Sequence, residues 1–429
     1  MTGSTSPSQG ITRRWSQVLG LKRSIVGMLC MAVLVGMGEN MAEQFLPLYL
    51  LALGGGFISV GFLNGMDNLL GALYSFPGGY FSDRLGAKRA LLLFNLLSMA
   101  GFALVILVPA WPAVLGGAAL FLSWSAISLP ATMGLVSQAL PANQRTMGVS
   151  MHSLVRRIPM AVGPLLGGVF IGWLGVERGI RLAFVVAFAM AGLAAVFQQR
   201  LIEDDSDTID AARPRAQRNP LRMWRDMSSD LKRLLAADIL VRFCEQIPYA
   251  FVVIWAVGAM QGSGSGHTGP VSALQFGVLR TIEMATAAFI YLPVALVVDR
   301  THKKPFVVLT FAFFTLFPLV LLFSRSFGTL VVAFILRGLK EFGEPTRKAL
   351  ILELAPEGSK AGMFGLYYLI RDVIVSVAAF GGSFLWSIGP EVNLLTAFAF
   401  GAAGTLWFAW RGRDLTLGGA SARLSSGAC

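Results

Sequence analysis

The segment Gly79-Tyr-Phe-Ser-Asp83-Arg84-Leu-Gly86-Ala-Lys88-Arg89 closes an apolar run that begins at Phe57. About 20 apolar residues, rising about 1.5 Å each, cross the roughly 30 Å of hydrocarbon in a bilayer. A run of that length ended by an acid, a glycine and three cations reads as a helix leaving lipid, with its positive charges kept on one side. A second copy, Ala295-Leu-Val-Val-Asp299-Arg300-Thr-His302-Lys303-Lys304, closes another such run. Asp83-Arg84 and Asp299-Arg300 stand 216 positions apart, as do Asp67 and Glu283. Pro130, Pro141, Arg145 and Arg156 recur as Pro345, Pro356, Lys360 and Arg371, displaced by 215. A common offset among residues that are costly in apolar surroundings implies that six segments were duplicated to twelve.

Composition agrees. Of 429 residues, 55% are hydrophobic and 14% charged, with 48 glycines and 31 phenylalanines. Ordinary globular chains are about 25% charged, so a soluble domain, a disordered chain and a coiled coil are excluded. The net charge of +12 would suit a nucleic-acid partner, but no polar stretch is long enough to fold into a basic domain. Cys30, Cys244 and Cys429 form no CxxC or Cys/His spacing, so neither a disulfide framework nor a metal site is expected. The first apolar run is too long for a signal peptide and many others follow it.

Twelve runs long enough to span are found: 24–51, 57–81, 90–108, 113–140, 147–172 and 180–199, then 234–260, 271–298, 306–323, 327–355, 361–388 and 393–410. The expected organisation is a tail (1–23), a six-helix bundle (24–199), a polar linker (200–233), a second six-helix bundle (234–410) and a second tail (411–429). Of the 35 basic residues, 23 fall in the tails, the linker and the connections on one side, 9 well inside the runs, and 3 (Arg178, Arg181 and Arg325) on the other side or at its edge. By the positive-inside rule the rich side is cytoplasmic, with both termini inside.

The segment at Gly79 resembles the signature Gly-x-Leu-Ala-Asp-Arg-x-Gly-Arg-Arg/Lys of the major facilitator superfamily, and the weaker copy stands where that family's repeat would place it. The resemblance implies an all-α membrane fold, twelve helices in two pseudo-symmetric bundles, and a secondary transporter that works by alternating access. It assigns Gly79, Asp83, Arg84, Gly86, Lys88, Asp299 and Arg300 to a conformational latch, since a carboxylate at a membrane edge accepts hydrogen bonds from a helix N-terminus or an arginine. The same residues also suit a plain helix-ending turn. In the fifth run, Gly163-Pro164-Leu-Leu-Gly167-Gly168 resembles the Gly-Pro-x-x-Gly-Gly core of proton-coupled antiporters, implying a bend at Pro164. Ordinary small-residue packing explains it equally well. The arginine motif of those antiporters has no counterpart, because 120–140 holds no basic residue.

Ionisable residues inside the runs carry the functional signal, because each costs about 2.5 to 3.5 kcal/mol at a bilayer centre unless partnered or hydrated. In the first half the acids are Glu39, Glu43 and Asp67, answered by Arg156 and Arg157, which leaves one acid in excess. A carboxylate in a low-dielectric setting is the side chain suited to carry a proton, and these three are the candidates for coupling. The second half holds seven residues of each sign. Helical spacing pairs Asp238 with Arg242 and Arg337 with Glu341 at i,i+4, and Arg242 with Glu245 and Arg280 with Glu283 at i,i+3. Arg156, Arg157, Arg242, Glu245, Arg337, Glu341, Glu344, Arg371 and Asp372 are the candidate substrate-cavity residues, with structural ion pairing as the other reading. In the family the resemblance names, the first, fourth, seventh and tenth helices line the cavity.

No lysine follows a glycine, so a Walker phosphate loop cannot exist, and the three histidines stand in no HExxH or nucleophile-elbow context. No enzyme activity, cofactor or metal is expected. The expected function is proton-coupled export of a small drug-like or amphipathic molecule by a monomer in an inner membrane. Alternatives are proton symport or uniport of a small organic anion, and a transporter-like sensor without flux. The expected partners are the substrate, protons and the bilayer.

Overall fold

The computed structural model describes residues 23–85, 87–122, 124, 128, 145–202, 220–258, 269–298, 303–356 and 360–412. Among them the chain is helical throughout. The first half forms α1 (Arg23–Glu43), α2 (Leu46–Ala52), α3 (Phe57–Leu85), α4 (Ala87–Leu107), α5 (Trp111–Phe121) and α6 (Arg145–Leu201). The second forms α7 (Pro220–Asp226), α8 (Ser229–Gln246), a 3₁₀ turn (Tyr249–Phe251), α9 (Val252–Val257), α10 (Ala273–Val298), α11 (Lys303–Phe323), α12 (Phe327–Leu339), α13 (Glu344–Leu354), α14 (Lys360–Ile388) and α15 (Pro390–Arg411).

The protein is an all-α membrane protein, and the twelve apolar runs fall on these helices. Among the described residues eight helices are long and apolar enough to span by themselves; Trp111–Phe121 and Phe327–Leu339 are shorter apolar helices. One of the eight, Val155–Leu201, is 47 residues long and holds two runs. It is divided at Gly175, whose φ of 78° and ψ of 174° lie in a region essentially restricted to glycine. Part of the fourth run, 129–140, lies outside the described residues. Three runs are each split into two helices, the seventh between α8 and α9. The first breaks after Glu43, and the tenth breaks at residues 340–343. Large apolar side chains face outward, Phe289 being 82% exposed, which is tolerable where the surroundings are lipid.

Contacts divide the chain into two compact units, Met1–Leu46 with Leu73–Pro214, and Pro47–Ala72 with Arg215–Cys429. In the first unit α1 packs along α6 through residues without side chains. A Cβ on Gly38 would lie 2.8 Å from Ala187 Cα, and one on Gly163 2.7 Å from Asn40 Cβ. The start of α4 is tied to the end of α6: Lys88 Nζ donates to the Gln199 carbonyl at 3.0 Å and Gln198 Nε2 to the Lys88 carbonyl at 2.7 Å. Phe102, Phe121 and Phe184 close that unit's interior with ring centroids 5.0 to 6.0 Å apart.

In the second unit Ser228 caps α8, accepting from the Leu231 amide and donating to the Leu354 carbonyl. The first part of α3 belongs here because glycine lets α14 approach it. A Cβ on Gly61 would stand 2.3 Å from Ser383 Cβ, and one on Gly65 3.0 Å from Phe380 Cβ. Beside them Asn64 Nδ2 donates to the Gln246 carbonyl at 2.9 Å, and Asn68 Nδ2 to Gln246 Oε1 at 3.2 Å.

Candidate functional site

Two turns of α8 place Asp238, Arg242 and Glu245 at i, i+4 and i+7, so one face of the helix carries alternating charge. The broken tenth run supplies the partners. The break leaves Lys340–Gly343 non-helical, held by the Gly343 amide donating to Thr310 Oγ1 at 2.6 Å. Pro345 then sits in the first turn of α13, where its missing N–H costs nothing. As a result Arg337 and Lys340 end one helix while Glu344 and Arg347 begin another.

The charges join into a chain. Arg242 Nη1 reaches Glu245 Oε2 at 2.6 Å, and Lys340 Nζ reaches the other oxygen of Glu245 at 2.6 Å. Arg242 Nη2 lies 3.5 Å from Glu344, whose carboxylate is gripped by Arg347 at 2.6 to 3.1 Å. The other side of Arg347 donates to Asp238, which also accepts from Tyr367 Oη at 3.0 Å and lies 3.5 Å from Arg371. Arg371 turns its Nε to Asp372 at 2.7 Å and lies 4.2 Å from the Tyr368 ring centroid. Asp238 and Arg347 are both buried, so an unmatched charge at either would be costly. A second, smaller group lies on α10 and α12. Arg280 meets Glu283 at 2.5 Å, and Arg337 Nε approaches the same carboxylate at 3.5 Å. Close approach is possible there because residue 338 is glycine: a Cβ would stand 2.7 Å from the Glu283 carbonyl oxygen.

Of the expected pairs, Arg242–Glu245 and Arg280–Glu283 form, and Asp238–Arg242 is loose at 3.9 Å. Arg337 pairs with Glu283, not with Glu341. The i,i+4 rule needs a continuous helix and α12 ends at Leu339. Glu341 sits in the break, half-buried and with a partner of its own. Lys348 is 49% exposed on its side chain and touches Glu344 only at 3.6 Å, as a snorkelling residue would.

In the first half, Glu39 is buried on α1, and Glu43, Asp67, Arg156 and Arg157 are half-buried; none of the five lacks a partner. The glycine motif of the fifth run packs on the same helix as two of the acids. A Cβ on Gly167 would lie 2.1 Å from the Met41 carbonyl oxygen, and Gly163 faces Asn40. Pro164 and Gly168 are buried beside them. Of the latch residues, Gly79, Asp83 and Arg84 lie in the closing turns of α3, and Lys88 opens α4. Gly86, Asp299 and Arg300 lie outside the described residues.

Sequence reading did not single out Asp238, Lys340, Glu283 or Tyr367 as site residues, yet Asp238 is where α8, α13 and α14 converge. Their signal was polarity inside apolar runs. The aromatic side chains around them gave none, because phenylalanine is common throughout. Phe314 lies 5.1 Å from Arg242 and 5.5 Å from Lys340, and Phe317 5.1 Å from Arg337. Glu245, Phe313, Phe314, Phe317, Arg337 and Lys340 line a small recess.

The family model described as Major Facilitator Superfamily matches residues 28–271. An uncharacterized MFS-type transporter of Methanocaldococcus jannaschii is 19% identical over 368 residues, covering 84% of this chain and 87% of its own. Among solved structures, a mutant of the peptide transporter POT in complex with alafosfalin is similar with a TM-score of 0.72 at 16% identity, covering 90% of this chain and 93% of that one. A mutant of the nucleoside transporter NupG gives 0.70 at 13%, covering 88% and 99%. The human organic anion transporter TETRAN gives 0.60 at 15%, covering 90% and 98%. At these identities the structures share the fold.

Proposed function

The chain belongs to the Major Facilitator Superfamily and is a multi-pass membrane transporter, and on that premise we propose that it moves a small amphipathic molecule by alternating access, driven by protons. The observation that carries the reading is the placement of Glu39 and Glu43 on the helix against which Gly163 and Gly167 pack without side chains. Backbones in such contact transmit a shift of one helix to the other, so a proton taken up on α1 is felt along the bent helix carrying Pro164. Glu39, Glu43 and Asp67 are the proton carriers, and export is the direction, as the likeness of the glycine motif to that of proton-coupled antiporters suggests. The protein works as a monomer in an inner membrane with both termini cytoplasmic, its latch formed around Asp83 and Asp299.

Proteoliposomes holding an internal pH dye and challenged with a panel of compounds test this. A substrate-dependent proton flux is expected, lost by at least tenfold when Glu39→Gln, Glu43→Gln and Asp67→Asn are combined. Undiminished gradient-driven flux in that triple variant rejects the coupling assignment. A second reading, symport or uniport of an organic anion, is favoured by the cations Arg337 and Lys340 at the recess in the second unit. Arg371, in the same unit, would serve as a further ligand. Expulsion of a cationic dye supports the first reading, and uptake of a carboxylate that is abolished by Arg371→Ala supports the second.

A further inference from the structure

The segment that leads into the seventh span lies outside the charge network, yet it is fixed in place. Met223 of α7 and Met227 after it are buried in one cluster with Leu350, Ile351 and Tyr367 of α13 and α14, and Ser228 Oγ donates to the Leu354 carbonyl at 3.0 Å. The other side of α7 turns Trp224, Arg225 and Asp226 outward. Lys232, in the first turn of α8, folds back over the Trp224 ring, 5.2 Å from its centroid. A second cation is seated in the same way at the end of α15. Arg411 lies 4.7 Å from the Trp410 centroid and 5.9 Å from that of Trp407, and both tryptophans are exposed.

The packing of α8 on α15 puts the two seats at one level. A Cβ on Gly401 would lie 2.7 Å from Cys244 Sγ and one on Gly404 2.8 Å from the Ala237 carbonyl oxygen, so the two helices run antiparallel. Phe243 and Phe400 meet on one side of the pair, with centroids 5.3 Å apart. Eleven residues, about three helical turns, lead from Phe243 back to Lys232 and from Phe400 on to Arg411. Both cations therefore stand on that same side, at the end of the unit where the chain enters α8. Among the described residues no carboxylate pairs with Lys232, Arg225 or Arg411. Asp230 is engaged by Arg233 at 2.9 Å, which leaves Asp226 as the opposing charge on this rim.

A cation lying on an indole face is held still while its donors, three on lysine and five on arginine, stay free for an anion. Tryptophans at the end of a span sit at headgroup level, where basic side chains meet lipid phosphates. Leu406, one turn before Trp410 and also exposed, continues the strip toward hydrocarbon, as a lipid requires and a soluble partner does not. We infer that this rim binds the headgroup of an anionic phospholipid, with Lys232 and Arg411 as phosphate ligands, Arg225 as a third cation, and Trp224, Trp407 and Trp410 as the aromatic seats. The surface is separate from the proton and substrate assignments and needs only that the chain spans a bilayer. A headgroup held there keeps α7 and the start of α8 docked on α13, so anionic lipid stabilises the second unit.

The full-length protein in mild detergent is offered phosphatidylglycerol or phosphatidylcholine with the same acyl chains, and bound lipid is counted by native mass spectrometry. Phosphatidylglycerol is expected to bind about tenfold more tightly or better; equal binding overturns the proposal, and this comparison needs no variant. Lys232→Gln combined with Arg411→Gln should abolish that preference. In nanodiscs the same double variant should lose the rise in thermal midpoint that phosphatidylglycerol gives the unaltered protein over phosphatidylcholine, while an undiminished preference and rise overturn the proposal. Arg325→Gln removes an exposed cation that lies 4.6 Å from the Trp255 centroid at the far end of α11. It should change neither reading, and a loss equal to that of the double variant shows that net charge alone is sensed and overturns the assignment to this rim. Displacement of the lipid by inorganic phosphate assigns the rim to a soluble anion and overturns the proposal. So does lipid binding that appears only after Glu203, Asp204, Asp205, Asp207 and Asp210 of the linker are replaced by amides, because the rim then belongs to the chain's own acidic run.

Discussion

Arg156 and Arg157 are adjacent arginines, whereas their counterparts 215 residues later are Arg371 and Asp372, joined at 2.7 Å. The same divergence recurs elsewhere. Glu283, the counterpart of Asp67, has Arg280 three residues before it and pairs with it, whereas Asp67 has Asn64, which donates to the Gln246 carbonyl instead. Two copies of one six-helix plan have thus taken different electrostatic courses. The second built a connected set of ion pairs across α8, α12, α13 and α14. The first kept few charges deep inside its spans, where Glu39, Glu43 and Asp67 stand against Arg156 and Arg157. The division suits a second half that fixes geometry and receives charge, and a first half that changes protonation.

Five substitutions break or sharpen that contrast. The largest effect is expected from Asp238→Ala, which leaves Arg347, Arg371 and Tyr367 without their common acceptor. Removing one partner of a buried set costs about 3 to 5 kcal/mol, visible as a large drop in the thermal midpoint in detergent. Arg156→Ala, in the sparse copy, should cost clearly less. Next come the glycine contacts, one in each copy. Gly167→Ala forces a methyl against the Met41 carbonyl and Gly338→Ala one against the Glu283 carbonyl, each destabilising by about 1 to 3 kcal/mol. Gly167→Ala should in addition slow proton-driven flux, and Gly338→Ala should chiefly weaken anion binding, so measuring both properties in both variants separates the roles of the copies. The smallest effect is Lys348→Met. Its exposed ammonium touches Glu344 at 3.6 Å and contributes no more than about 1 kcal/mol; a melt shift comparable to that of Asp238→Ala would show that the network extends to the surface.

The spanning segments were legible because a bilayer demands long apolar runs, and the duplication because Asp, Arg and Pro are rarely placed in such runs without cause. The pairs within one helix, Arg242–Glu245 and Arg280–Glu283, followed from helical periodicity. The pairs between helices did not. Asp238 with Arg347 and Tyr367, and Lys340 with Glu245, depend on which helices adjoin, and spacing along one chain carries no such information. The break at 340–343 hid for a related reason. Gly343 and Pro345 marked it, but hydrophobic residues continue on both sides, and hydropathy does not register a local loss of helical hydrogen bonds. It was this break that turned Arg337 from its expected partner toward the recess.

Gly175 has a consequence for how the protein is made. The stretch between the fifth and sixth spans exposes Trp173 and Leu174 and reverses direction around a single residue whose backbone only glycine adopts readily. So short a connection, residues 173–179, leaves the two spans little slack to insert one after the other. The two spans are then expected to enter lipid together as a hairpin, and a side chain at 175 to lower the yield of inserted protein before it touches transport.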